Sequence, residues 1–205
     1  MATHKDDLLP IVGRRVHRED ARAGIPRRDP GHEVPLSLGQ QRLWFLDQLH
    51  PDPAYTMPAV LQVTGPLDVG LVRRSLAAVI TRHEVLRTTF PAIDGRPYQQ
   101  ITTTTSEVPL TVVDLSHLRG GQRQAAADEL VRREITRTFD LAAGPLLRAV
   151  VIRLGASAHL MVLNLHHIIA DAWSMRVFIR EISECYRAFG GGGPADLPAL
   201  AVQYA

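Results

Sequence analysis

The sequence predicts an α/β fold, a two-layer sandwich in which a mixed β-sheet is covered by helices, on three observations. Helical and strand periodicities alternate along one chain and are not segregated into halves. Two long apolar strand candidates, Leu146–Leu154 and Ala158–Leu165, follow one another across Gly155-Ala156-Ser157. Three segments place apolar residues at helical spacing, over Val69–Arg82, Ala125–Phe139 and Ser174–Phe189.

Residues 1–33 lack sustained periodicity and contain Gly24, Pro26, Pro30 and Gly31, so they read as a basic leader or linker with one short helix near Leu8–Val16. The ordered region is expected from residue 34 to 205. Ser37 is the expected N-cap of a helix through Leu49, with Gln40 as its capping-box partner and Leu43, Leu46 and Leu49 facing inward. His50-Pro51-Asp52-Pro53 stops it. Residues 59–64 read as a strand. In the helix over Val69–Arg82, Val72, Leu76, Val79 and Ile80 share one face with His83. Asp94-Gly95 is a hairpin turn between strands at 88–93 and 97–102. Leu110–Leu115 is a further strand. Leu130, Val131, Ile135 and Phe139 align on the next helix. The last helix buries Met175, Phe178, Ile179, Ile182 and Cys185, and Gly190 to Pro194 ends it. Asp196–Ala205 is extended.

Composition narrows the function classes. The chain is 45% hydrophobic and 21% charged, ordinary for a globular domain. No run approaches the ~20 apolar residues of a membrane helix, and the N-terminus lacks a signal-peptide pattern. The single cysteine, Cys185, excludes an internal disulfide framework and suits the reducing cytoplasm. It falls in a helical pattern and is expected to be packed. The net charge of +2 sits in the first 30 residues, which hold seven Lys/Arg against five acids. The remainder balances. A nucleic-acid partner would call for a dense basic face with interleaved aromatics, which is missing.

The chemistry concentrates in Asn164-Leu165-His166-His167-Ile168-Ile169-Ala170-Asp171-Ala172-Trp173-Ser174. A buried strand delivers two histidines into a turn, and a carboxylate follows where a helix begins. A neutral imidazole takes a proton from an amine or hydroxyl near pH 7. Strand alternation places His167 with Leu163 and Leu165, and His166 with Asn164 on the other face. Asp171 is placed to orient an imidazole or to lock an arginine. Adjacent histidines diverge on extended backbone, and no HExxH or cysteine pair supports a metal, so none is expected. Ser174 lacks a nucleophile elbow and reads as the cap of the following helix. A second cluster, Arg82-His83-Glu84-Val85-Leu86-Arg87-Thr88-Thr89-Phe90, sits at a helix end, where an arginine either answers the helix dipole or turns inward to Asp171.

Together these segments resemble the condensation domains of nonribosomal peptide synthetases, within the chloramphenicol-acetyltransferase-like superfamily. His166 to Ala172 matches the HHxxxDG signature except in its last residue. Arg82 to Phe90 matches RHExLRTxF, and Ser37 to Leu46 matches SxxQxRLWxL. The resemblance covers Pro35 to Ala205 and implies one lobe, the N-terminal one, of a fold in which two lobes form a V around a tunnel. It implies amide formation between a carrier-bound donor thioester and a carrier-bound acceptor amine. The carriers supply phosphopantetheine arms, and the chain itself binds no cofactor. His167, with His166 and Asp171, is implied as the catalytic set, and Arg82 with Asp171 as a structural salt bridge. Ala172, Trp173 and Ser174 are implied as tunnel lining. Ala172 stands where the family has glycine, a residue used for positive φ or close backbone approach. The chain ends where the first lobe of such a domain ends, so the C-terminal lobe is expected to be absent and this lobe alone incomplete or inactive. Expected partners are donor and acceptor carrier proteins, the C-terminal lobe and neighbouring synthetase domains, with no membrane. Two other functions fit the same residues: a non-catalytic module that docks a carrier or a neighbouring domain, and a free-standing acyltransferase of the superfamily.

Overall fold

The computed structural model describes residues 34–103 and 108–204; the expected leader and its short helix near Leu8–Val16 lie outside them. β1 (Val34–Pro35) leads into α1 (Leu38–Leu49), and β2 (Thr56–Thr64) and α2 (Val69–Arg82) follow. A small hairpin region comprises β3 (Thr88–Thr89), β4 (Ala92–Ile93) and β5 (Arg96–Ile101). Then come β6 (Leu110–Asp114), α3 (Gly120–Thr136), β7 (Leu147–Arg153), β8 (Ala158–His166) and α4 (Ala172–Gly190).

The main sheet has the order β2-β8-β7-β6. β8 runs antiparallel to both β2 and β7, while β6 and β7 are parallel, so the sheet is mixed as expected. Strand alternation sends successive side chains to opposite faces. Met161, Leu163 and Leu165 join Val72, Leu76 and Val79 of α2 and Phe178 and Ile182 of α4 in the larger core. Val162, with Val150 and Ile152, packs against Ala127, Leu130 and Val131 of α3. Helices thus cover both faces of this sheet. Each fully buried aliphatic side chain contributes about 1.5–3 kcal/mol. Cys185 is fully buried in the larger core, and burial raises its thiol pKa. Among the described residues no helix is long and apolar enough to cross a membrane.

Local sequence accounts for the boundaries. Ser37 and Gln40 form the expected capping box at α1. Asp68 caps α2 through hydrogen bonds accepted from the Gly70 and Leu71 N–H groups. Asp94 and Gly95 have φ of 49° and 75°, the two left-handed residues a tight hairpin requires. Three expectations are corrected. α1 turns Gln40 and Asp47 inward, leaving Leu49 67% exposed and Leu46 only half-buried, because its inner face meets polar groups of the turn after β8. α3 begins at Gly120, ahead of the apolar pattern, and ends before Phe139. Finally, Asp171 caps α4, and Ser174 lies one turn inside it.

Phe139 is buried on its own turn, stacked beneath the Arg148 guanidinium and edge-on to the His166 ring at 6.0 Å. Asp140 shapes that turn by accepting from the Ala142 and Ala143 N–H groups through its side chain and from Gly144 N–H through its carbonyl. Gly144 has φ of 62°, and a Cβ there would come within 2.8 Å of Thr89 Cγ2. Both facts demand glycine. Gly144→Ala is expected to lower stability by about 2 kcal/mol, measured by urea unfolding; an unchanged midpoint would refute this account of the turn.

Candidate functional site

The site is built where β8 runs out of partners. His166 is the last strand residue, its N–H bonded to Leu146 O at 3.0 Å, and His167 N–H reaches Tyr55 O at 2.8 Å. Beyond that the chain closes a turn on itself. His166 Nδ1 accepts the Ile168 N–H at 3.0 Å, and Ile169 N–H donates to His166 O at 3.1 Å. His167 Nδ1 lies 2.7 Å from Ala170 O. From α1, Gln40 Nε2 donates to Ile168 O at 3.4 Å. The main-chain groups named here thus find partners in the turn, in α1 or in the residue before β2, as a buried connection requires.

The two histidines have opposite surroundings. His166 is 2% exposed and sits on the Asn164 side of the strand. Burial, with a smaller effect from the neighbouring His167, pushes its pKa down to about 4. It is therefore neutral at physiological pH. Its Nδ1 accepts a hydrogen bond, so the proton is on Nε2. His167 is exposed and lines a groove of about 310 Å³ on the other side. A carbonyl only accepts, so His167 Nδ1 must carry the proton it gives to Ala170 O. Its Nε2 is left with a lone pair. One main-chain contact thus turns His167 into a potential base.

The groove walls are apolar with a few polar groups. Val85 and Leu86 follow α2, Val177 and Phe178 belong to α4, and Trp173 and Tyr204 stand at its margin. His83 also lines it, with Nε2 2.6 Å from Glu181 Oε2. Gln203 fixes the segment that carries Tyr204: its amide donates to Arg82 O and accepts from Glu84 N–H, at 3.0 and 3.1 Å.

Asp171 acts as a cap. Its Oδ1 accepts from the Ser174 hydroxyl and N–H, both at 2.7 Å, and these bonds hold its carboxyl below the usual carboxylate range. The expected salt bridge between Arg82 and Asp171 is not made. Arg82 Nε pairs with buried Glu181 at 3.3 Å, and its Nη2 donates to Pro198 O. The reason is position: Glu181 lies on the inner face of α4 against the end of α2, while Asp171 sits exposed at the start of that helix. Of the expected lining residues, Trp173 and Ser174 border the groove and Ala172 does not. Ala172 is the first residue of α4, exposed and without positive φ, so the backbone there makes no demand for glycine.

The sequence reading did not single out Glu181, Asp47 or Tyr204 as site residues. Glu181 carries a signal, a lone acid on the apolar stripe of α4. Asp47 is equally anomalous between Leu46 and Leu49.

The Condensation domain family model matches residues 31–205. A linear gramicidin synthase of Brevibacillus parabrevis is 44% identical over 173 residues, 84% of this chain and 2% of that protein. Phosphinothricin tripeptide synthetase PhsC of Streptomyces viridochromogenes is 44% identical over 183 residues, 88% of this chain and 17% of that protein. Among solved structures, the first condensation domain of the CDA synthetase superposes with a TM-score of 0.74 at 26% identity, covering 83% of this chain and 44% of that one. The chain therefore spans less than half the length of that solved chain and a small fraction of the synthetases.

The His166 environment gives a pH signature. Between pH 6.5 and about 4 the unfolded chain protonates this ring and the folded chain does not. Stability is therefore expected to fall on acidification through that window, by about 3 kcal/mol from this group. Its contribution is unchanged above pH 6.5. His166→Asn, which keeps an acceptor for Ile168 N–H, should flatten the slope of the urea midpoint against pH; parallel slopes for the two proteins would refute the assignment.

Proposed function

The chain belongs to the condensation-domain family of nonribosomal peptide synthetases, and from that premise we propose that it supplies the histidine-bearing lobe of an amide-forming site. Condensation domains are amide-forming acyltransferases. The substrates in this reading are a donor acyl thioester and an acceptor amine, each tethered by a phosphopantetheine arm to a carrier protein. The carriers bring the arms, and this chain contributes the groove and the base.

The observation that carries the reading is the His167 Nδ1–H bond to Ala170 O, which leaves a lone pair on Nε2 at the groove. The acceptor nitrogen attacks the thioester carbonyl, the new C–N bond forms and the C–S bond breaks. His167 Nε2 holds the amine in line, accepts its proton as charge develops and returns a proton to the departing sulfur, which leaves as the phosphopantetheine thiol. Apolar walls at Val85, Leu86, Val177 and Phe178 exclude water, which would otherwise hydrolyse the thioester. Asp171 supports the reaction as the cap that starts α4 directly after the turn. In this reading a second lobe supplies the other tunnel wall, and this lobe alone is inactive.

The test is amide formation between an aminoacyl-loaded donor carrier and an aminoacyl-loaded acceptor carrier, followed by intact-mass spectrometry. Product is expected when the chain is joined to the second lobe, and none with the chain alone. His167→Ala in the joined protein should lower the rate by at least about 100-fold, the usual contribution of a general base, while carrier binding persists. Full activity of that variant, or full activity of the chain alone, would overturn the corresponding part of the proposal.

A further inference from the structure

We propose that Asp47 is a positioning residue for the histidine-bearing turn, its Oδ1 accepting the Nε2–H of His166. Nδ1 is occupied by the Ile168 N–H, which assigns the proton to Nε2. That nitrogen is buried and has no hydrogen-bond partner among the described residues. Asp47 Oδ1 stands 3.9 Å away. This is about 1 Å beyond a direct bond, and the proposal has the Asp47 side chain close it.

The carboxylate is itself out of place without such a role. Asp47 is 6% exposed on a helix whose Leu38, Phe45 and Leu49 face outward. Burial, reinforced by the charge of Asp140, raises its pKa. A carboxyl is kept inside only when it is paired. Gln40 lies two turns away on the same face, and its amide reaches Ile168 O. α1 thus grips one residue of the turn at both ends: Gln40 takes the Ile168 carbonyl, and Asp47 takes the imidazole that holds the Ile168 N–H. With Ile168 fixed, the Ala170 carbonyl stays against His167 Nδ1.

A cation between the two carboxyls is the competing use of this place, since Asp47 and Asp140 border one cleft of about 400 Å³. His166 argues against it. It presents an N–H to Asp47, not a lone pair, and so completes an internal hydrogen bond and not a ligand set. The proposal rests on the reading of His167 as the reacting imidazole, but its test observes the hydrogen bond itself and is independent of amide formation.

The experiment is nitrogen-15 NMR of the histidine rings in this chain at pH 7, with wild type, Asp47→Asn and Asp47→Ala. In the wild type, His166 should show the Nε2–H form with a proton in slow exchange with water. Asp47→Asn keeps an accepting oxygen and should preserve the slow exchange. Asp47→Ala should speed exchange at least tenfold and reduce the share of His167 with its proton on Nδ1. Unchanged exchange in a folded Asp47→Ala chain overturns the proposal. So does a wild-type His166 that is protonated on Nδ1, or whose Nε2–H exchanges as fast as an exposed histidine, a result that needs no variant to fold.

Discussion

The site depends on how the chain leaves the sheet after β8. A strand inside a sheet has its main-chain groups paired by neighbours; the residues beyond it do not. Here the turn from His166 to Asp171 supplies its own partners. One imidazole accepts a main-chain N–H, the other donates to a main-chain carbonyl, and a carboxylate closes the first turn of α4. Side chains with chemical potential are thus part of the backbone's hydrogen bonding. The His167 ring is held by the fold, and the Ala170 carbonyl sets its tautomer directly.

Two adjacent residues of one type are driven apart by this arrangement. Strand alternation sends His166 inward, where burial keeps it neutral and fixed. The same alternation sends His167 toward the groove, where one nitrogen is bonded to Ala170 O and the other carries a lone pair. The inner ring is packed into the turn, and the outer one is the base of the proposed reaction. Substituting either would disturb the site, for different physical reasons: loss of support in one case, loss of a proton acceptor in the other.

Much of this was legible in the sequence, because local signals and burial patterns agree. The capping box at Ser37 and Gln40, the Asp94-Gly95 hairpin and the two apolar strands before the histidines follow from short-range chemistry, and the structure contains them. What could not be read are choices made by tertiary packing. α1 has apolar residues on more than one side, and its inward face is selected by the Ile168 carbonyl and the His166 ring, which lie far along the chain. Arg82 was expected to pair with Asp171, and only the crossing of α2 and α4 brings Glu181 to it instead. The α4 cap fell to Asp171 because its carboxylate accepts two bonds from Ser174, which made the serine the donor. Ala172 shows the converse: a departure from the family signature that the helical backbone absorbs without strain.

Whether the turn presents His167 Nε2 to the groove as a lone pair is measured most directly by the nitrogen-15 spectrum of the neutral His167 ring in the folded chain. The account predicts a protonated Nδ1 and a bare Nε2. A ring protonated on Nε2 would face the groove as a donor, and the assignment of His167 as the base would be wrong.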